Sequence, residues 1–224
     1  MSSTPRPRSP RYRRRRPLPA LVVLALLGVV TVVVWVAVLG PGDPDAAPCP
    51  PPAPTAPDYS GRVLAPGALD TVAPTPPKFV SVRVLNGNGM VGEAGIVQSG
   101  LAELGFPRAA EPRNDPLHPE FALTCHAQIR FGAQGTAAAR TLSLVVPCAE
   151  LVRDRRTDDV VDLALGTEFT GLRPTSQARS ALNDLVRLSA PPPPSDRSRG
   201  GQAGGSVQPT IDPALLQEAR DVRC

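Results

Sequence analysis

Proline decides which parts of this chain can fold. There are 29 prolines among 224 residues. Most fall in clusters such as Pro48-Cys49-Pro50-Pro51-Pro52, Pro74-Thr75-Pro76-Pro77 and Pro191–Pro194. Proline has no N–H to donate and a fixed φ, so such clusters form neither helix interiors nor central strands. What remains between them suits one small domain with appendages. Aromatic residues make up 4% of the chain, so the core must come from Val, Leu, Ala and Ile.

One apolar run stands outside that domain. Residues 20–40 carry no charge, and Thr31 is the only polar side chain between Ala20 and Leu39. At 1.5 Å rise per residue, a run of that length spans a hydrocarbon core of about 30 Å. Trp35 lies near its far end, where an indole reaches the interface. Arg6, Arg8, Arg11, Arg13, Arg14, Arg15 and Arg16 precede the run, and the first acidic residue is Asp43. This asymmetry predicts a single-pass helix in the cell membrane, with residues 1–19 cytoplasmic and everything after it extracytoplasmic. The rivals are a cleaved signal peptide, whose apolar region is usually shorter, and a lipoprotein cleaved at Ala46-Ala47-Pro48-Cys49. That box sits ten residues past the run and has proline beside its cysteine.

The charge split bears on partners. Seven of the 24 basic residues lie in the tail, which leaves 17 against 20 acidic residues downstream, a net of −3. A nucleic-acid-binding domain carries a basic stripe. Here the basic charge is confined to the tail, which argues against nucleic acid as the main partner.

The expected organisation is a tail (1–19), a transmembrane helix (20–40), a proline-rich stalk (41–77), a domain (78–170), a helix (171–190), a flexible linker (191–210) and a C-terminal helix (211–224). Within the domain, Phe79 to Leu85 alternates apolar and polar residues, as a half-buried strand does. Glu93 to Leu104 reads as a helix with Val97, Leu101 and Leu104 on one stripe. Gly105 suits its left-handed C′ position, with Phe106 packing back on Leu101. Ala109 to Asn114 is a weak strand that Pro112 confines to an edge. Gln128 to Phe131 is a strand, Thr136 to Val146 a helix stopped by Pro147, and Val160 to Leu165 a strand. Pro174 to Leu188 is a helix capped by Thr175. In the last segment Asp212-Pro213 starts a short helix with a stripe of Leu215, Ala219 and Val222. The order β-α-β-β-α-β predicts an α/β (α+β) ferredoxin-like domain, lean enough at this size to need disulfides.

All four cysteines, Cys49, Cys125, Cys148 and Cys224, follow the apolar run, and an even count in an oxidising compartment implies disulfides. The strand after Cys125 climbs about 20 Å, and the helix before Cys148 descends about 18 Å. The two cysteines are therefore expected level with one another and bridged. That pairs Cys49 with Cys224. The spacings match no zinc or redox motif, His118 and His126 are the only histidines, and no metal is expected.

Gly87-x-Gly89-x-x-Gly92 follows a strand and opens a helix, and Glu111 lies near the spacing of a ribose carboxylate. The domain is too small for a doubly wound sheet, however, and the Glu111 segment carries proline. Asn86, Gly87 and Gly89 are read instead as a strand-to-helix turn that needs positive φ. Its N–H groups are candidates to hold an anion or glycan. No cofactor is expected.

The run Val82-Arg83-Val84-Leu85-Asn86-Gly87-Asn88-Gly89, with Gly92, Ala94, Leu104-Gly105-Phe106 and the later Gln128-Ile129-Arg130-Phe131-Gly132, resembles the LytR C-terminal domain family. The resemblance covers residues 78–169. It implies a role in maintaining the cell envelope. In that family the domain often follows a LytR-CpsA-Psr catalytic domain, which transfers glycopolymers onto peptidoglycan. No room for one exists between Leu39 and Lys78, so transferase activity does not carry over, and the family supplies no catalytic residues.

The leading expectation is a non-enzymatic module that binds cell-wall glycopolymer or wall-building proteins of the LytR-CpsA-Psr type. With helices on one sheet face, the other presents Arg83, Gln128 and Arg130, with Asp162 nearby, as a place for phosphate or carboxylate. An enzyme is the second reading, yet Glu93, Glu103, Asp115, Glu120, Asp162 and Glu168 form no recognisable catalytic pair, and neither histidine sits in a Ser/His/Asp setting. The third is a protein–protein tether that uses Phe121, Leu123 and the C-terminal helix.

Overall fold

A computed structural model describes residues 24, 26–31, 48–54, 61–190 and 211–224. Two units separate, Met1–Asp43 and Pro44–Cys224. In the first, Leu24 and residues 26–31 are helical, and the Thr31 hydroxyl donates to the Leu27 carbonyl at 2.8 Å. The rest of the run expected to span the membrane lies outside the described residues, as do the arginine tail and the 191–210 linker. Among the described residues no helix is long and apolar enough to cross a membrane.

The second unit is a mixed six-stranded sheet. Its strands are β1 (Arg62–Val63), β2 (Ser81–Asn86), β3 (Arg108–Asn114), β4 (Ala127–Phe131), β5 (Glu150–Arg153) and β6 (Val161–Leu165), in the spatial order β1-β5-β4-β6-β2-β3. Helix α1 (Glu93–Glu103) links β2 to β3, and α2 (Thr136–Val145) links β4 to β5. Each is a βαβ crossover between adjacent parallel strands. β6 then joins the two halves, parallel to β2 and antiparallel to β4.

This corrects the expected ferredoxin-like arrangement. That pattern splits each βαβ unit by a strand of the other, whereas both units here are intact and the last strand fills the gap between them. The expected element count also lacked β5. Four residues long, with Glu150 and Arg153 at its ends, β5 is too short and too charged at its margins to show alternation.

The elements that were expected form for local reasons. Leu104 ends α1, Gly105 takes φ +93°, and the Phe106 N–H donates to the Leu101 carbonyl at 3.0 Å. With Gly105 N–H donating to Ala102, this is the Schellman closure. Phe106 and Leu101 both sit in the main core. Pro112 lies on edge strand β3 where β2 and β3 slip register by one residue, which accommodates its missing donor. Helix α3 (Ser176–Leu188) starts where the Thr175 hydroxyl accepts from the Ala178 N–H, at 3.0 Å.

The core lies between the sheet and the helices. Val82, Val84, Ile129, Phe131, Leu151, Val161, Leu163 and Leu165 point into it from the strands, against Val97 and Leu101 of α1, Leu142 and Val145 of α2, and Leu182 and Leu185 of α3. Behind that layer, α4 (Pro213–Glu218) buries Leu216 and Ala219 against Leu144, Ala178 and Ala181. The expected stripe of Leu215, Ala219 and Val222 is thus shifted toward Leu216.

The disulfides are Cys49–Cys125 and Cys148–Cys224, with Cα separations of 4.9 and 5.4 Å. The expected pairing of Cys125 with Cys148 and of Cys49 with Cys224 is wrong. Strand and helix lengths compare heights along the sheet and ignore its thickness. Cys125 packs with Leu85, Leu123 and Ala164 on the face away from the helices. Cys148 follows α2 on the helical face, within reach of the end of α4.

Part of the expected stalk belongs to the domain. β1 pairs antiparallel with β5, Leu69 is buried, and the Ala53 N–H donates to the Leu117 carbonyl at 2.9 Å.

Candidate functional site: the polar face of the sheet

Alternation sends every second strand residue to the face away from the helices. Arg83 pairs with Asp162, and Asp162 with Arg130, in one row across β2, β6 and β4. Gln128 pairs with Glu150 of β5 and with Ala164 of β6, which in turn faces Leu85 of β2. The residues expected to share this face do share it. The expectation that they stand open to solvent fails for Gln128, Arg130 and Asp162.

The loop between β3 and β4, together with the segment pinned by Cys49, covers the middle of the face. Arg130 is 1% exposed and Gln128 7%. The Arg130 guanidinium donates to both Asp115 carboxylate oxygens, at 2.6 and 2.7 Å, and its Nε donates to Gln128 Oε1 at 2.8 Å. Gln128 donates onward to Glu150 at 2.7 Å, and Glu150 accepts from the Cys49 N–H at 3.4 Å. His118 lies against Asp115 at 2.9 Å through Nδ1 and faces the Pro50 carbonyl at 3.4 Å through Nε2. A continuous polar chain therefore joins cover and sheet, and a disulfide joins the two parts of the cover. Burial by itself would raise the Asp115 pKa. The hydrogen bonds from His118 and Arg130 and the arginine charge outweigh it and hold the carboxyl well below its usual range.

A second cluster sits at the rim. Asp162 accepts from Arg83 at 2.7 Å, and Arg156 bridges Asp162 and Asp154 at 2.7 and 2.6 Å. Burial disfavours the Arg156 charge, yet the two carboxylates more than compensate and raise its pKa. The Arg83 side chain keeps 23% exposure. Arg113, in register with Leu85, is exposed on the same strand pair. Among the described residues, Arg83, Arg113 and Arg108, which is in register with Ser81, are basic groups that this face leaves within reach of a ligand. Arg113 went unnoticed in the sequence because the β3 bulge shifts its parity.

The Asn86-Gly87-Asn88-Gly89 turn is closed on itself. Asn86 Oδ1 accepts from the Asn88 and Gly89 N–H groups, at 3.3 and 2.8 Å, and Asn88 Oδ1 accepts from Met90 at 3.0 Å. The Gly87 N–H donates to the Leu165 carbonyl at 3.1 Å, so the Gly87 and Gly89 N–H groups expected to hold an anion are satisfied within the protein. Asn88 also donates to Glu93 at 2.7 Å, which places a carboxylate at the start of α1. Gly89 takes φ +79°, so the positive φ expected of this turn is found there.

The surfaces expected to serve a tether are largely consumed. Leu123 is fully buried, Phe121 packs under Gly89, and α4 is docked. Exposed apolar side chains gather instead around the start of α1, where Val91, Ile96 and Met90 are 99%, 74% and 60% exposed.

Comparison with known proteins agrees with this architecture. The family model described as LytR cell envelope-related transcriptional attenuator, the LytR C-terminal domain, matches residues 80–169. The crystal structure of the soluble domain of a conserved hypothetical secreted protein from Mycobacterium marinum superposes with a TM-score of 0.60 at 34% identity, over 73% of this chain and 98% of that one. The cell envelope integrity protein Cei of Mycobacterium tuberculosis is 40% identical over 185 residues, 80% of this chain and 76% of that protein. The chain belongs to the family of the cell envelope integrity protein Cei and carries its LytR C-terminal domain match over β2 to β6.

Proposed function

We propose that this chain is a non-catalytic, membrane-anchored module that maintains cell envelope integrity from outside the cytoplasm. The family relationship to a cell envelope integrity protein is the observation that carries the reading. The two disulfides suit an oxidising compartment, and the arginine-flanked run at 20–40 supplies the anchor. The buried acids Asp115 and Asp162 are each neutralised by arginine, which suits a framework rather than acid–base turnover. In this reading the module binds cell-wall glycopolymer, with Arg83 and Arg113 meeting its phosphate or carboxylate groups at the rim of the polar face. The test is retention of the full-length chain on purified cell wall. Loss of retention in Arg83→Ala/Arg113→Ala supports polymer binding at the rim, and equal retention removes these residues from it.

A protein partner is the second reading, favoured by the exposed Met90, Val91 and Ile96. Its occupant would be a wall-assembly enzyme of the LytR-CpsA-Psr type. Crosslinking from position 91 in cells separates the two: a discrete protein adduct favours the tether, and polymer-bound material favours the glycopolymer.

A further inference from the structure

Each disulfide joins cysteines 76 positions apart. Loop entropy therefore weights them equally, and only their surroundings differ. Cys125 is 1% exposed, packed with Leu85, Leu123 and Ala164, and its half-buried partner Cys49 packs against the same cluster. Cys148 and Cys224 instead line an open cleft of about 330 Å³ together with His126, Arg173 and Arg223. Cys224, Arg173 and Arg223 are all exposed. Thiol–disulfide exchange needs access for an attacking thiolate, and neighbouring guanidinium groups favour both the attacking and the departing thiolate. Arg173 and Arg223 both line this cleft, against the single carboxylate of Glu168.

The bond also has something to hold. At six residues α4 is too short to persist alone. It is kept by Leu216 and Ala219 against Leu144, Ala178 and Ala181, by Arg220 on Asp70 at 2.6 Å, and by Cys224.

We propose that Cys148–Cys224 is a thiol–disulfide exchange site whose cleft admits a dithiol reductant, while Cys49–Cys125 stays closed to it. One reductant thiolate attacks Cys224 Sγ and forms a mixed disulfide, and Cys148 departs as a thiolate and takes up a proton. The second reductant thiol gives up its proton and attacks its own mixed sulfur, releasing Cys224 as a thiolate that is protonated in turn. The reductant ends as a disulfide, oxidised by two electrons, and the chain holds two thiols. Residues 211–224 are then free to leave, which uncovers Leu144, Ala178 and Ala181.

The test titrates the oxidised full-length chain with dithiothreitol under native conditions, followed by alkylation and peptide mapping. Cys148 and Cys224 are expected to label at a reductant concentration about tenfold below that for Cys49 and Cys125. Amide exchange in residues 213–218 should accelerate at the same point while that of 127–131 does not. Arg173→Gln/Arg223→Gln should slow the first reduction about threefold. Simultaneous labelling of both pairs, or labelling of Cys49 and Cys125 first, overturns the proposal. An α4 that stays protected after Cys148 and Cys224 are labelled overturns the release, and an unchanged rate in the arginine variant overturns the role of the cleft.

Discussion

Arg130 on β4 and Asp115 in the loop that crosses it form a bidentate ion pair with both side chains at most 1% exposed. A charge pair so deep stands only while both members are present. Asp115→Asn or Arg130→Met removes the opposite charge that directly balances the other and should lower unfolding free energy by about 3–5 kcal/mol. The double variant Asp115→Asn/Arg130→Met should lose less than the sum of the singles. Urea unfolding of the four proteins measures this, and additive losses would mean that the two side chains do not stabilise one another.

Acid should act on the same pair. Folding depresses the Asp115 pKa, so its contribution is complete above the unfolded carboxyl value, about 3.9, and is lost as pH falls through the lower folded value. Stability of the wild type should therefore drop steeply below about pH 4. Asp115→Asn should start less stable and show a shallower slope there. Parallel slopes for the two proteins would place the acid sensitivity elsewhere.

His126 predicts an earlier, smaller loss. Burial lowers its pKa, opposed by the hydrogen bond to the Glu168 carbonyl and by the Glu168 charge. The folded chain favours the neutral ring, which packs on Phe169 with centroids 5.3 Å apart. A depressed folded value means stability is complete above the unfolded value and falls as pH drops below about 6.5. Replacing His126 by Phe should flatten the profile just below about pH 6.5 without changing the fall below pH 4.

Two glycines separate backbone freedom from close approach. Gly105 takes φ +93° and has room for a Cβ, whose nearest neighbour would be Pro77 at 3.7 Å. Gly105→Ala should lower stability by only about 1–2 kcal/mol. A Cβ at Gly166 would run into the Cys125 carbonyl oxygen and meet the Leu123 oxygen at 2.9 Å. Gly166→Ala must push the β3–β4 loop off the end of β6, and its loss should exceed that of Gly105→Ala by about 2 kcal/mol or more. Thermal unfolding of both variants checks the order.

Local signals in the sequence carried most elements. Gly105-Phe106 announced the end of α1, Thr175 the start of α3, and Pro112 the edge position of β3. Facing was legible too, because alternation along β2, β4 and β6 placed Arg83, Arg130 and Asp162 on one side. What could not be read was anything set by distant chain. β6 takes its place between two complete βαβ units through pairings no local window contains. The cover over Arg130 comes from Asp115, His118 and the Cys49 segment, which looked like loop and stalk. The disulfide pairing depends on which face of the sheet each cysteine occupies, and segment lengths carry no information about that.

That cover decides which polar groups of the face stay open, since it closes Arg130 and Gln128 and leaves Arg83 and Arg113 at the rim. A peptide map of the oxidised full-length chain under non-reducing conditions tests it most directly. One linked peptide pair containing Cys49 and Cys125 and another containing Cys148 and Cys224 are expected. Linkage of Cys125 to Cys148 and of Cys49 to Cys224 would contradict it, because the Cys49 segment could not then be pinned across the face beside Cys125.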